Sequence, residues 1–146
     1  MKEQKIKLFA LIKSLTKNEK GYFIKHSSGF GKKRENIYVK IFDVIDKQKK
    51  YDEKIIFKKI KEIKPAQFAN IKSYLYEQIL DALVGFHASD KIELRVRNNM
   101  IRISVLYEKG LFVQCEKLIS KTLAVAEQHE KLLLILELRN WENSLL

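Results

Sequence analysis

Phe68, Ile71, Leu75, Ile79, Ala82, Leu83 and Phe86 recur at three- and four-residue spacing behind the only proline, Pro65. That spacing puts all seven on one face of a helix and would scatter them over both faces of a strand, so a long helix is predicted. Pro65 suits its first turn, where no N–H is needed. This rod is expected to be the spine of the fold. Five Gly and one Pro are few turn formers for 146 residues, about 4% against roughly 12% in average usage. A β-sandwich or β-barrel turns too often for that composition, and no stretch alternates apolar with polar residues long enough to make a strand. Hydrophobic residues at 46% and charged residues at 32% suit a chain that buries a core. The expectation is a single all-α unit over residues 1–146, built from about eight antiparallel helices joined by short connections.

Local signals place the other helices. Leu8, Leu11, Ile12 and Leu15 predict a first helix over 3–15. Thr16-Lys17-Asn18-Glu19 has the form of a capping box and opens a second helix carrying Tyr22, Phe23 and His26, which Ser27–Gly31 ends. Ile37, Ile41, Phe42, Val44 and Ile45 predict a third, running to about Lys49. Asp52 is the expected cap of a fourth, with Ile56, Ile60 and Ile63 on one side. Ser89 or Asp90 is expected to cap a sixth that ends near Lys109. Gly110 turns the chain into a seventh, with Leu111, Cys115, Leu118, Ile119, Thr122, Leu123 and Ala126 on its face. An eighth opens near Glu130 and runs to the end.

The charge is uneven. The chain carries +11, and residues 1–64 hold 19 Lys/Arg against 8 Asp/Glu, whereas residues 65–146 hold 10 of each. The chain therefore reads as a basic helical half followed by a neutral half. A basic half attracts phosphates or an acidic partner, and Lys32, Lys33, Arg34, Lys47, Lys49 and Lys50 form the candidate patch. Lysine supplies 24 of the 29 cations, and Arg34 is the only arginine among the first 64 residues. Nucleic-acid sites usually add arginine, whose planar fork grips phosphate and guanine. A solvated face or a protein partner is thus preferred to nucleic acid.

Residues 98–128 resemble a tetratricopeptide repeat, a helix–turn–helix unit of 34 residues. Met100, Ile103, Ser104 and Tyr107 occupy the offsets of its first helix, and Gly110 and Phe112 those of its turn. Cys115 and Thr122 stand at its small positions and Ile119 at its bulky one, with Leu123 following. The turn is one residue short, Cys and Thr replace Ala, and Glu127 replaces the closing Pro. The whole chain is also similar to uncharacterised bacterial helical-repeat proteins. The resemblance implies a non-enzymatic scaffold whose first helices line a concave surface for a protein partner. In this register that surface takes in Asn98, Ile101, Val105 and Glu108, although the two apolar residues are expected to be buried against the fifth helix. The eighth helix would begin a second unit. It contains Leu132–Leu136, Leu138, Trp141, Leu145 and Leu146, so apolar residues point to nearly every side. Its outer surface, with Leu138, Trp141 and Leu145, is expected to be covered by a second copy of the chain or by further repeats.

The chain carries no known catalytic or cofactor motif. His26, His87 and His129 have no metal-ligand spacing, and Cys115 on an apolar face reads as a small buried hydrophobe. No Gly-x-Ser-x-Gly elbow occurs. Gly29-Phe30-Gly31-Lys32-Lys33 lacks both the spacing and the hydroxyl residue of a phosphate-binding P-loop. A helix-turn-helix reading of the fourth and fifth helices fails on a turn without Gly and a largely apolar second helix. No cofactor is implied, no apolar run reaches the ~18 residues of a membrane span, and a cytoplasmic location is expected.

Overall fold

The structure, a computed structural model, describes residues 2–27, 36–88 and 90–146. Among these residues it has eight helices and no strand: α1 (Lys2–Ser14), α2 (Lys17–Ser27), α3 (Ile37–Asp46), α4 (Glu53–Lys59), α5 (Pro65–Ala88), α6 (Ile92–Glu108), α7 (Phe112–Gln128) and α8 (Leu132–Ser144). The all-α architecture is the one its periodicity predicts. Two compact units make up the chain, Met1–Leu83 and Val84–Leu146, and their boundary falls inside α5. The change in charge falls earlier, at Pro65. Counted by unit, residues 1–83 hold 20 Lys/Arg against 10 Asp/Glu, and residues 84–146 hold 9 against 8.

Side chains start most of the helices of the first unit. The Thr16 N–H donates to Glu19 Oε1 at 2.8 Å, and the Glu19 N–H donates to Thr16 Oγ1 at 3.2 Å. Two free N–H groups at the start of α2 are thereby satisfied reciprocally, as the capping box requires. Asn36 accepts from the N–H groups of Tyr38 and Val39, and its own amide donates to the Ser27 carbonyl at 2.8 Å. Asp52 accepts from the Lys54 N–H. The third helix stops at Asp46, short of the predicted Lys49, because the buried Gln48 side chain clamps the next turn: it donates to the Asp52 carbonyl and accepts from the Asp52 N–H.

The core of this unit takes Leu8, Ile12 and Leu15 from around α1, Phe23 from α2, Ile41, Phe42 and Ile45 from α3, Ile56 from α4, and Phe68, Leu75 and Ile79 from α5. Phe23 meets Phe42 at 4.8 Å between ring centroids, and Phe57 meets Phe68 edge-on at 5.0 Å. Such pairs add about 0.5–1.5 kcal/mol to the burial of their area. Ile60 and Ile63 are buried in the same core, but from the connection after α4: Ile60 is extended and ends the helix.

Backbone geometry, rather than capping side chains, shapes the second unit. The Gly110 N–H bonds to the Tyr107 carbonyl and the Leu111 N–H to the Leu106 carbonyl, with Gly110 at φ +73°. Twenty positions on, the Glu130 N–H bonds to Glu127 and the Lys131 N–H to Ala126, with Glu130 at φ +53°. Both are Schellman turns, which consume two of the carbonyls a helix end leaves free. The eighth helix begins at Leu132 instead of near Glu130 because Glu130 itself takes the left-handed turn. Asp90 does not cap the sixth helix: its N–H returns to the His87 carbonyl, Lys91 occupies the cap position, and no side chain bonds there. Ser89, the other expected cap, lies outside the described residues.

Candidate interaction surface

The hairpin of α6 and α7 closes on small residues. Cys115, Thr122 and Ala126 of α7 are fully buried, and the Cys115 thiol donates to the Ile103 carbonyl at 3.6 Å. Burial pushes that thiol above its ordinary pKa. Thr122 Oγ1 donates to the Leu118 carbonyl at 2.6 Å and accepts from Asn99 Nδ2 at 3.3 Å, which satisfies a hydroxyl taken out of water. Met100 and Ile103 fill the facing side. The Tyr107 ring lies 5.4 Å from Phe112 and 5.6 Å from Trp141, so it touches α7 and α8 together. Ser104 is only half-buried, its hydroxyl turned back to the Ile101 carbonyl.

Sequence spacing then decides what faces outward. In α6 the core residues are Val96, Met100 and Ile103. At 100° per residue, Ile101 and Val105 project from roughly the opposite side. They are 62% and 45% exposed, so the expected burial against α5 is overturned. Asn98 on the same stripe is half-buried and Glu108 is exposed.

In α8 the inward stripe is Leu134, Leu138, Trp141 and Leu145. Leu138 is wholly buried, and Trp141 and Leu145 are half-buried against the same core. These three residues, expected on the outer surface, are therefore core contacts, because the three- and four-residue spacing from Leu134 turns them inward. The outward residues are Leu132, Leu133 and Leu136, at 73%, 73% and 67% exposure. The sequence shows apolar residues at nearly every angle of this helix and does not single these three out as exposed. Arg139 pins the last two helices together, donating to Glu127 at 2.8 Å and Glu142 at 2.9 Å. Those carboxylates, Glu142 foremost, hold its pKa up.

α7 differs from its neighbours. Beyond Phe112 and Val113 in its first turn it exposes no large apolar side chain. Helices α6 and α8 both pack on α7 and touch each other. The unit thus exposes apolar side chains along α6 and α8, and on α7 in the first turn only.

Of the candidate basic patch, Lys32, Lys33 and Arg34 lie outside the described residues. Lys47, Lys49 and Lys50 are exposed. Lys47 pairs with Asp43 at 2.9 Å, and the hydrogen bond to that carboxylate raises its pKa. α5 buries Phe68, Leu75 and Ile79 in the first core, which is the role of a core helix rather than a groove-reading one. Among the described residues no group of three or more His, Cys, Asp or Glu could hold a metal ion, and no helix is long and apolar enough to cross a membrane. The chain matches no known protein family, no curated protein and no solved structure.

Proposed function

We propose that this chain is a non-enzymatic, tetratricopeptide-like helical scaffold that binds a protein through the outer faces of α6 and α8. The observation that carries the reading is the second apolar face on those two helices: Ile101 and Val105 on one, Leu132, Leu133 and Leu136 on the other. Isolated exposed leucines are ordinary, but a grouped apolar patch marks an interaction site. Covering one Leu completely is worth roughly 1.5–3 kcal/mol, so the three leucines of α8 alone supply a substantial gain to any partner helix laid across them. An amphipathic helix, from another protein or from a second copy of this chain, fits such a surface through anchors at i, i+3, i+4 and i+7. The reading includes a cytoplasmic location, in keeping with a lone, buried, unpaired cysteine.

The test uses the full chain as bait for a displayed library of helical peptides, together with light scattering after size exclusion. Selected peptides, or self-association, that Leu132→Glu/Leu136→Glu abolishes are the expected result. Peptides that the double variant still binds would overturn the proposal. So would a failure to select any peptide from a chain that stays monomeric at high micromolar concentration.

A further inference from the structure

The lysines of the first unit pose a separate question, because positive charge matters only where local carboxylates do not cancel it. Residues 49–62 contain Lys49, Lys50, Lys54, Lys58, Lys59 and Lys61, all exposed, and three acids. Each acid is already engaged. Asp52 caps α4 through the Lys54 N–H. Glu53 accepts from Lys72 Nζ at 2.9 Å and from the Tyr51 hydroxyl at 3.2 Å. Glu62 pairs with Lys40 at 3.4 Å. None of the six lysines has an ion pair with a described residue, and Lys72 and Lys40, which meet Glu53 and Glu62, come from outside the segment. Lys54 and Lys58 stand two residues either side of the fully buried Ile56, so at 100° per residue both project from the side of α4 opposite the core.

The chemistry of the segment narrows the partner. Of its apolar residues, Ile56 and Ile60 belong to the core, Tyr51 and Phe57 pack on Phe9 and Phe68, and Ile55 alone is exposed, at 38%. A membrane-surface helix needs an apolar face to sink between lipids, and a single partly exposed isoleucine does not make one. Single-stranded nucleic acid needs exposed aromatic rings for stacking, and both rings of the segment are half-buried. The segment contains no arginine for bidentate reading of guanine. What remains is a dense set of point charges, which suits a dense row of phosphates read without regard to sequence.

We infer that the lysine cluster around α4 binds the phosphate backbone of double-stranded nucleic acid. The inference is independent of the scaffold proposed for the second unit. Each neutralised phosphate contributes about −0.9 to the slope of log affinity against log salt, so four to six contacts give about −4 to −5.

Fluorescence anisotropy of labelled random-sequence duplex DNA and duplex RNA, titrated with the full chain over a range of salt, reads that slope. The expected result is binding at low salt with that steepness. Lys54→Glu/Lys58→Glu/Lys61→Glu should flatten the slope by about 3 and weaken binding at least tenfold at low salt. If charge reversal disturbs folding, Lys54→Ala/Lys58→Ala/Lys61→Ala serves instead, since alanine suits the two positions in α4 and Lys61 is exposed in the turn after it, and the same flattening is expected. Absence of duplex binding at low salt would overturn the inference, as would an unchanged slope in a folded variant. Equally tight binding to polyglutamate or to phosphatidylserine vesicles would also overturn it, and would assign the cluster to an acidic protein or a lipid surface.

Discussion

The two units build helices from different local instructions. In the first, Thr16, Asn36 and Asp52 cap helices with side-chain oxygens, and a buried glutamine closes the turn between α3 and α4. In the second, α6, α7 and α8 start without any side-chain cap bond, and two Schellman turns direct the chain. The cores differ in the same sense. The first is filled by isoleucine, leucine and paired aromatic rings, whereas α7 of the second contributes Cys115, Thr122 and Ala126 at its closest approaches. Side-chain caps fix where a helix begins whatever packs on it. Repeated turns with small contact residues fix instead how one helix lies on the next, which is what a stacked array requires.

Core truncation has the largest expected effect and tests whether the two cores are separate. Phe42→Ala should cost the first unit about 3–5 kcal/mol and leave amide exchange in α7 at the parent level. Ile119→Ala should do the reverse, with a loss of about 2–5 kcal/mol in the second unit. Loss of protection in both units from either change would collapse the distinction. Overpacking comes next. Cys115→Leu should destabilise by about 1–3 kcal/mol in chemical denaturation, because the thiol already lies against the Ile103 carbonyl. Ser104→Trp, at a half-buried position, should cost less. A larger loss at Ser104 than at Cys115 would mean that the helices approach most closely elsewhere.

The turns and caps give smaller, opposite-signed effects. Glu130→Gly should stabilise by about 1 kcal/mol, because a side chain at positive φ is strained where glycine is not. Gly110→Ala should destabilise by a similar amount. No atom lies within 4 Å of the added Cβ, so the backbone conformation alone sets that cost. Asp52→Ala should cost about 1 kcal/mol through the lost cap. Thermal melts of the three variants measure the contrast, and equal signs for Glu130→Gly and Gly110→Ala would contradict it.

The smallest effect is one of pH. Burial first, and then the Glu53 carboxylate, push the Tyr51 phenol well above its ordinary value. A group whose pKa is raised on folding contributes stability that is complete below the unfolded value, here about 10, and is lost as pH rises beyond it. An ultraviolet difference titration should show a tyrosine that ionises above the ordinary range and is missing from Tyr51→Phe. Tyr51→Phe should flatten the alkaline fall in stability.

Much of this architecture is written in short-range pattern. The capping box, Asp52, Pro65 and Gly110 each mark a helix boundary through the chemistry of one or two residues, and all four act where their spacing places them. Signals that depend on the partner of a group are not legible in this way. Glu130 carries no hint of positive φ, because the turn is imposed by the helices on either side. Ile60 and Ile63 continue a helical spacing after the helix has ended, since burial depends on position and not on backbone type. In α8, apolar residues at nearly every angle hide which stripe is the core. The register follows only from packing on α7, and it turns Leu138 inward and Leu132 outward. Net charge by segment is visible in composition, whereas the engagement of Asp52 by a backbone N–H, and of Glu53 and Glu62 by Lys72 and Lys40, required side-chain geometry.

On the proposed reading, the second unit binds its partner through the outer faces of α6 and α8, with α7 packed between them. Hydroxyl-radical footprinting of the full chain, with and without a helical peptide selected on it, tests this most directly. The account predicts that oxidation of Leu132, Leu133 and Leu136 falls on binding, that Ile101 and Val105 are shielded with them, and that Val113 of α7 stays as reactive as in the free chain. Protection confined to residues 2–83, or shared equally by Val113, would contradict it.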